Sequence, residues 1–164
     1  MKKKLVKKED SEVTIMIPTF NRSGYLQEAI ASAMAQTYPC HIIVCDHGST
    51  DDTPQVMKKY KTDVTYIRRE EDFGPHFCWL DGVLHSKTKY VKILYDDDWI
   101  EPTFVEKTLA LMKDDVSCVI TNANICFESG KDRRVTKSIF FNKTGILVIA
   151  KTTTQFANCI EFTA

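Results

Sequence analysis

A chain of 164 residues, 43% hydrophobic and 27% charged, has the composition of an ordinary globular domain and enough length to bury most of its apolar surface. Its 22 lysines and arginines balance its 22 aspartates and glutamates, so no global field draws it to nucleic acid or to a membrane. No apolar run approaches the ~20 residues of a membrane span.

The first twelve residues read as a flexible basic tail with, at most, peripheral contact with an anionic membrane. Met1 to Lys8 is basic, but Glu9, Asp10 and Glu12 stand where a signal peptide would need its apolar core. Val13 to Ile17 follows as a first strand, ended by Pro18, whose missing N–H cannot continue a ladder. Asn21 or Ser23 then caps a helix with Tyr25, Leu26, Ala29, Ile30, Ala33 and Met34 as its buried stripe. His41 to Cys45 is a second, almost wholly apolar strand, as a parallel strand covered on both faces should be. Ser49 and Asp52 have capping-box spacing, so a helix is expected over about Thr50 to Tyr60. Val64 to Ile67 is a third strand. Phe73-Gly74-Pro75 turns into a helix carrying Phe77, Cys78, Leu80, Val83 and Leu84 inward.

A fourth strand begins at Val91 and ends abruptly in Asp96-Asp97-Asp98-Trp99. Pro102 opens the next helix, with Phe104, Val105, Leu109 and Met112 inward, and Val116 to Thr121 is expected as a fifth strand. Strands alternating with helices argue for a parallel α/β sandwich with right-handed crossovers. Beyond Asn122 the helices thin out, leaving β-like pieces at Arg134 to Lys137 and Gly145 to Ala150 among polar turns. The six cysteines (40, 45, 78, 118, 126 and 159) lack C-x-x-C spacing and several sit beside apolar runs. They read as buried, reduced thiols of a cytosolic protein rather than as a zinc site or disulfide framework.

Three consecutive aspartates repel one another, and a strand end gains no stability from them. A divalent cation among them would remove that cost, because hard cations take oxygen ligands. In open α/β sheets, ligands bind outside the carboxyl ends of the strands. The chain has no G-x-x-x-x-G-K-[ST] loop, no G-x-G-x-x-G after the first strand, no G-x-S-x-G elbow and no H-E-x-x-H pair. Of the four histidines, His47 stands apart because it lies at a strand's C-terminal end.

Taken in order, Ile17-Pro18-Thr19-Phe20-Asn21-Arg22, Gln36-Thr37-Tyr38, Val44-Cys45-Asp46-His47-Gly48-Ser49-Thr50-Asp51-Asp52-Thr53 and Asp96-Asp97-Asp98 resemble the motifs of the family 2 glycosyltransferases. The resemblance implies a GT-A (Rossmann-like) fold, a mostly parallel sheet flanked by helices, ending here in a short irregular β-rich segment. It implies a nucleotide-diphospho-sugar donor, with a UDP-sugar favoured, a glycan or glycolipid acceptor, inverting transfer, and a Mn²⁺ or Mg²⁺ ion. Pro18 and Phe20 match positions lining the nucleoside pocket. Asp46 and His47 match the acidic pair that reads the base, and Asp96 to Asp98 match the DXD-type motif, with Asp96 toward the ribose and Asp97 and Asp98 on the metal. His47 departs from the family's second acid. Trp79-Leu80 stands where the family often carries Arg-Asn, so a diphosphate-contacting cation is either missing or supplied elsewhere, by Arg68, Arg69 or the C-terminal segment.

The catalytic base remains unknown. Glu128, Asp132 and Glu161 are the acids nearest the end, and none lies in a base motif. The chain thus reads as one domain: tail 1–12, nucleotide-sugar-binding portion 13–121 and partial acceptor-side segment 122–164. The expected location is the cytoplasm, with the inner face of the membrane as the alternative. The second functional reading is a donor-binding module completed by a further segment of the same protein or by self-association.

Overall fold

The computed structural model describes residues 7–119, 121, 123–129, 132–139 and 149–151. Strand β1 (Val13–Thr19) is buried along its whole length and occupies the middle of the sheet. Strands β2 (His41–Asp46) and β3 (Thr65–Arg68) lie on one side of it and β4 (Tyr90–Ile93) on the other, all parallel, in the order β3-β2-β1-β4. Parallel neighbours need crossovers, which α1 (Ser23–Met34), α2 (Thr53–Met57) and α3 (Pro75–His85) supply; α4 (Phe104–Leu109) follows β4.

The alternation of β1 sends its side chains to two separate cores. Val13, Ile15 and Ile17 meet Leu26, Ala29, Ile30 and Ala33 of α1, Met57 of α2 and Val105 of α4 on one face. Met16, with Ile43 and Cys45 of β2 and Val91 of β4, meets Cys78 of α3 on the other. Burial on both faces is why these strands read as continuous apolar runs.

Several elements differ from expectation. β1 does not stop before Pro18 but runs through it to Thr19, with Pro18 opposite Cys45. The Met16 carbonyl accepts from Leu94 N–H on the β4 side, so Pro18, two residues on, turns its missing N–H to that same side. Pairing with β4 has by then ended, at Met16 opposite Ile93, and nothing is lost. The fifth parallel strand does not form: 116–119 and 121 are irregular, and Val116 N–H closes a turn onto the Lys113 carbonyl. The place beside β4 belongs instead to β7 (Ile149–Lys151), which runs antiparallel to it. β5 (Ala123–Ser129) and β6 (Asp132–Ile139) make a separate antiparallel pair.

α2 starts at Thr53 rather than Thr50 and is prolonged by a 3-10 turn, Lys58–Tyr60. In α1, Tyr25 and Met34 are exposed rather than part of the buried stripe. In α3 the inward stripe is Cys78 and Gly82, while Phe77, Leu80 and Leu84 face outward and Val83 is half-buried. The amino-terminal tail is docked from residue 8, where Lys8–Asp10 form a 3-10 turn and Lys8 Nζ donates to the Asp63 carbonyl. Residues 1–6 and most of the expected β-like piece at 145–150 lie outside the described residues, as does Glu161.

From β1 the chain moves outward through β2 and β3, then returns to place β4 on β1's other side. The switch point is therefore between β1 and β4, and their carboxyl ends diverge there. A doubly wound sheet binds its ligand in that crevice.

Candidate functional site

The loop after β1 and the loop after β4 meet across this crevice. Thr19 Oγ1 donates to Asp96 Oδ2 at 2.8 Å, holding Asp96 almost fully buried against the end of β1. Arg22 Nη1 reaches Asp97 Oδ2 at 2.7 Å and Asp96 Oδ1 at 3.5 Å. Both Arg22 and Asp97 remain about half exposed, at 51% and 49%. Burial pushes the Asp96 carboxyl above its ordinary range, against the hydrogen bond from Thr19 and the charge of Arg22. Burial also raises Asp98, helped by the charge of Asp97 and opposed by Lys92. Lys92 is itself lowered to about 8 by burial, with Asp98 opposing.

The acid cluster thus carries unrelieved repulsion that one arginine offsets in part. Among the described residues no three His, Cys, Asp or Glu side chains converge to hold a metal ion. A complete protein cage is not what a magnesium-type ion requires, because it usually takes one or two carboxylates and completes its shell with water and substrate phosphates. Asp97, exposed and already paired with a cation, and Asp98, destabilised in its charged form, fit such a shared ion. Arg22 was missed by sequence reasoning. Its partners lie 74 and 75 residues away, and only the parallel pairing of β1 with β4 brings them together.

The second wall of the crevice is the loop after β2. Asp46 is 1% exposed and spends both oxygens on its own surroundings. Oδ1 accepts from Gly48 N–H at 3.1 Å and Ser49 N–H at 2.8 Å; Oδ2 accepts from Tyr66 Oη and faces Arg68 Nε at 3.3 Å. Burial and Asp46 together push the Tyr66 phenol well above its ordinary range. Gly48 has φ +91°, and a Cβ there would press on the carbonyls of Glu70 and Arg69 at 3.1 and 3.2 Å, so this turn admits only glycine without strain. Asn21, in the left-handed region at φ 55°, accepts from Thr50 N–H at 2.7 Å, and Ser49 Oγ accepts from Asn21 N–H at 2.9 Å. The expected caps are therefore exchanged between loops. Asp51, not Asn21 or Ser23, accepts from Ser23 N–H at the start of α1, and it also accepts from Thr53 N–H at the start of α2.

His47 is 6% exposed and its backbone N–H donates to the Thr19 carbonyl. Its ring lies 6.2 Å from that of Phe20, tilted by 56°, and its Nδ1 is 3.1 Å from Asp72 Oδ1. Phe20 is 41% exposed. Pro18 lies beneath, buried in β1. Phe20 and Asp96 stand on the loops that Thr19 and Arg22 tie together, with His47 beside Phe20, whereas Asp46 and Pro18 are buried. Arg68 and Arg69 do not supply a free cation: Arg68 Nη2 donates to the Ser49 carbonyl, and Arg69 makes a two-bond pair with Asp81 at 2.5 and 2.9 Å. Trp79, in place of the family's Arg-Asn, packs edge-on to Tyr95 at 6.2 Å. Glu128 lies in β5 and Asp132 in β6.

A β3-β2-β1-β4 sheet with an acid cluster at the β1/β4 divergence defines a GT-A-type α/β domain. Residues 14–161 match the model of Glycosyl transferase family 2, and the chain belongs to that family. Among curated relatives, a glycosyltransferase of Rickettsia prowazekii is 35% identical over 101 residues, covering 61% of this chain and 31% of its own length. The chondroitin synthase of Escherichia coli is 33% identical over 119 residues, covering 69% of this chain and 17% of its own. The chain therefore spans less than a third of either relative.

Solved structures share the fold. The S. aureus TarS fragment 1–349 in complex with UDP superposes with a TM-score of 0.65 at 21% identity, over 74% of this chain and 38% of that one. The mannosyltransferase PcManGT from Pyrobaculum calidifontis, in complex with GDP-Man and Mn²⁺, superposes with a TM-score of 0.59 at 24% identity, over 67% and 35%. Among the described residues no helix is long and apolar enough to cross a membrane.

Proposed function

We propose that this chain is a metal-dependent inverting glycosyltransferase, moving a sugar from a nucleotide-diphospho-sugar, a UDP-sugar by preference, to a hydroxyl of a glycan or glycolipid. The observation that carries this reading is the Asp96–Arg22–Asp97 cluster at the β1/β4 switch point, with the Phe20–His47 ring pair on the loops after β1 and β2. A nucleoside diphosphate has a flat base and a doubly charged tail, and this crevice offers an exposed aromatic face near one end and a mixed acid–cation cluster at the other. Phe20 stacks the base; His47 borders its edge; Asp46 and Pro18 fix the loop and strand that carry them. Asp96 faces the ribose.

Asp97 and Asp98 would hold Mn²⁺ or Mg²⁺, which when bound offsets the negative charge that grows on the departing diphosphate. Arg22 then neutralises whichever partner faces it, Asp97 before the ligand binds and a phosphate oxygen afterwards. An acceptor hydroxyl is a poor nucleophile at neutral pH and needs a positioned base. On this reading residues 13–121 bind the donor and 122–164 serve the acceptor side within the same domain. A donor-binding module completed by further chain or by self-association is the second reading. The reaction is placed in the cytoplasm, with an acceptor presented free or at the inner face of the membrane.

Calorimetry with UDP in Mn²⁺ tests the crevice. Phe20→Ala should weaken binding by about 1–3 kcal/mol, the usual worth of one base–aromatic stack. Unchanged affinity in a folded Phe20→Ala protein would remove Phe20 from the site.

A further inference from the structure

His47 presents two ring nitrogens with different surroundings. Nδ1 lies 3.1 Å from Asp72 Oδ1, and that oxygen also accepts from Gly74 N–H at 2.7 Å. Gly74 has φ +89° and is followed at once by Pro75 and α3, so the turn that carries Asp72 is set by the entry of the helix. The Gly74 amide, and then His47, hold the Asp72 carboxyl below its ordinary range. An ionised carboxylate only accepts hydrogen bonds, so the nitrogen facing it must carry the proton. A neutral imidazole has one N–H and one lone pair, and the lone pair then falls on Nε2. Nε2 has no partner among the described residues, and it is not one of the buried polar atoms sealed off without a hydrogen bond. The ring sits 6.2 Å from the exposed Phe20, so a base laid on Phe20 brings an edge toward it.

We propose that Asp72 fixes the His47 proton on Nδ1, leaving Nε2 as an acceptor that selects nucleobases with a ring imino N–H. This rests on the reading of the crevice as a nucleotide site. Uracil, thymine and guanine carry such an N–H. Cytosine and adenine present a lone pair at the corresponding ring nitrogen, and two facing lone pairs repel. Asp72 is a positioning residue here: it touches no ligand and acts through the tautomer of His47. A histidine can thus replace an acid at this position and still accept the imino proton, provided that a carboxylate stands behind it.

The test uses the intact chain, with UDP and CDP as probes in Mn²⁺ at pH 8, together with long-range ¹H–¹⁵N NMR of the imidazoles. The Nδ1–H tautomer is expected for His47 in the wild-type chain; the Nε2–H tautomer would overturn the proposal. UDP should bind at least about tenfold more tightly than CDP, the ratio expected when one buried acceptor is paired in one complex and opposed in the other. Asp72→Ala should bring the two affinities within about threefold of each other, by weakening UDP and sparing CDP. An equal loss for both nucleotides would show that Asp72 merely braces the loop, and the proposal would fall. Should Asp72→Ala not fold, His47→Phe keeps the ring and removes the acceptor, and the same collapse of preference is expected from it. Equal binding of UDP and CDP to the wild-type chain overturns the selection by His47 alone, whereas no binding of either defeats the donor-site reading on which it rests.

Discussion

Asp51 accepts one hydrogen bond from the first turn of α1 and one from the first turn of α2, at 2.9 and 3.0 Å. Burial opposes its charge, but the bonds from Thr53 and Ser23 outweigh that and hold the carboxyl down at about 2. A carboxyl that titrates lower in the folded chain contributes stability above its unfolded value, near 4, and loses it as pH falls toward 2. Asp51→Ala should therefore destabilise the fold by about 1–2 kcal/mol at pH 7, the range of a lost helix cap, and by much less at pH 2.5. Urea titrations at the two pH values compare the variants directly; a difference that does not shrink in acid would detach the effect from the charge. Arg22 acts at the same scale. It competes with any cation for Asp97, so Arg22→Gln should tighten binding of Mn²⁺ alone by about two- to fivefold, the worth of one exposed ion pair. Titration followed by electron paramagnetic resonance of free Mn²⁺ measures this, and an unchanged affinity would mean that Asp97 is not a ligand.

At the level of elements, α3 rests on the sheet through Gly82, where a Cβ would overlap Cγ of Met16 in β1. Met16 is fully buried, so it cannot swing into solvent to make room. Gly82→Ala should cost about 1–3 kcal/mol by overpacking, and the double variant Gly82→Ala/Met16→Val should cost less than the sum of its parts. Additive losses in thermal melts would place the strain elsewhere. This close approach also explains what sequence could not supply about α3. Apolar periodicity assigns Phe77, Leu80 and Leu84 inward, but a helix that approaches on Cys78 and Gly82 turns its larger residues out. Strands β1 and β2 were legible because burial on both faces leaves a nearly unbroken apolar run. The segment after Asp115 has a similar run and is not a strand, since the neighbour that decides it, β7, lies some thirty residues downstream.

For the molecule as a whole, the fold class and the position of Asp96–Asp98 just beyond a strand's carboxyl end were readable from residues in sequence. The contributions of Arg22 and Asp72 were not, because each acts on a partner 25 to 75 residues distant and only the topology joins them. The cap exchange between Asn21 and the Asp46–Asp52 loop escaped sequence reading for the same reason. The central claim, that the acids after β4 are a metal-assisted diphosphate site, is tested most directly by calorimetry of UDP with and without Mn²⁺ on the wild-type chain, Asp97→Ala and Asp98→Ala. The account predicts Mn²⁺-dependent binding that falls at least about tenfold in each variant, while Tm stays level or rises as like-charge repulsion is relieved. Undiminished UDP affinity in both variants, or binding indifferent to Mn²⁺, would show that the three aspartates are a solvated turn.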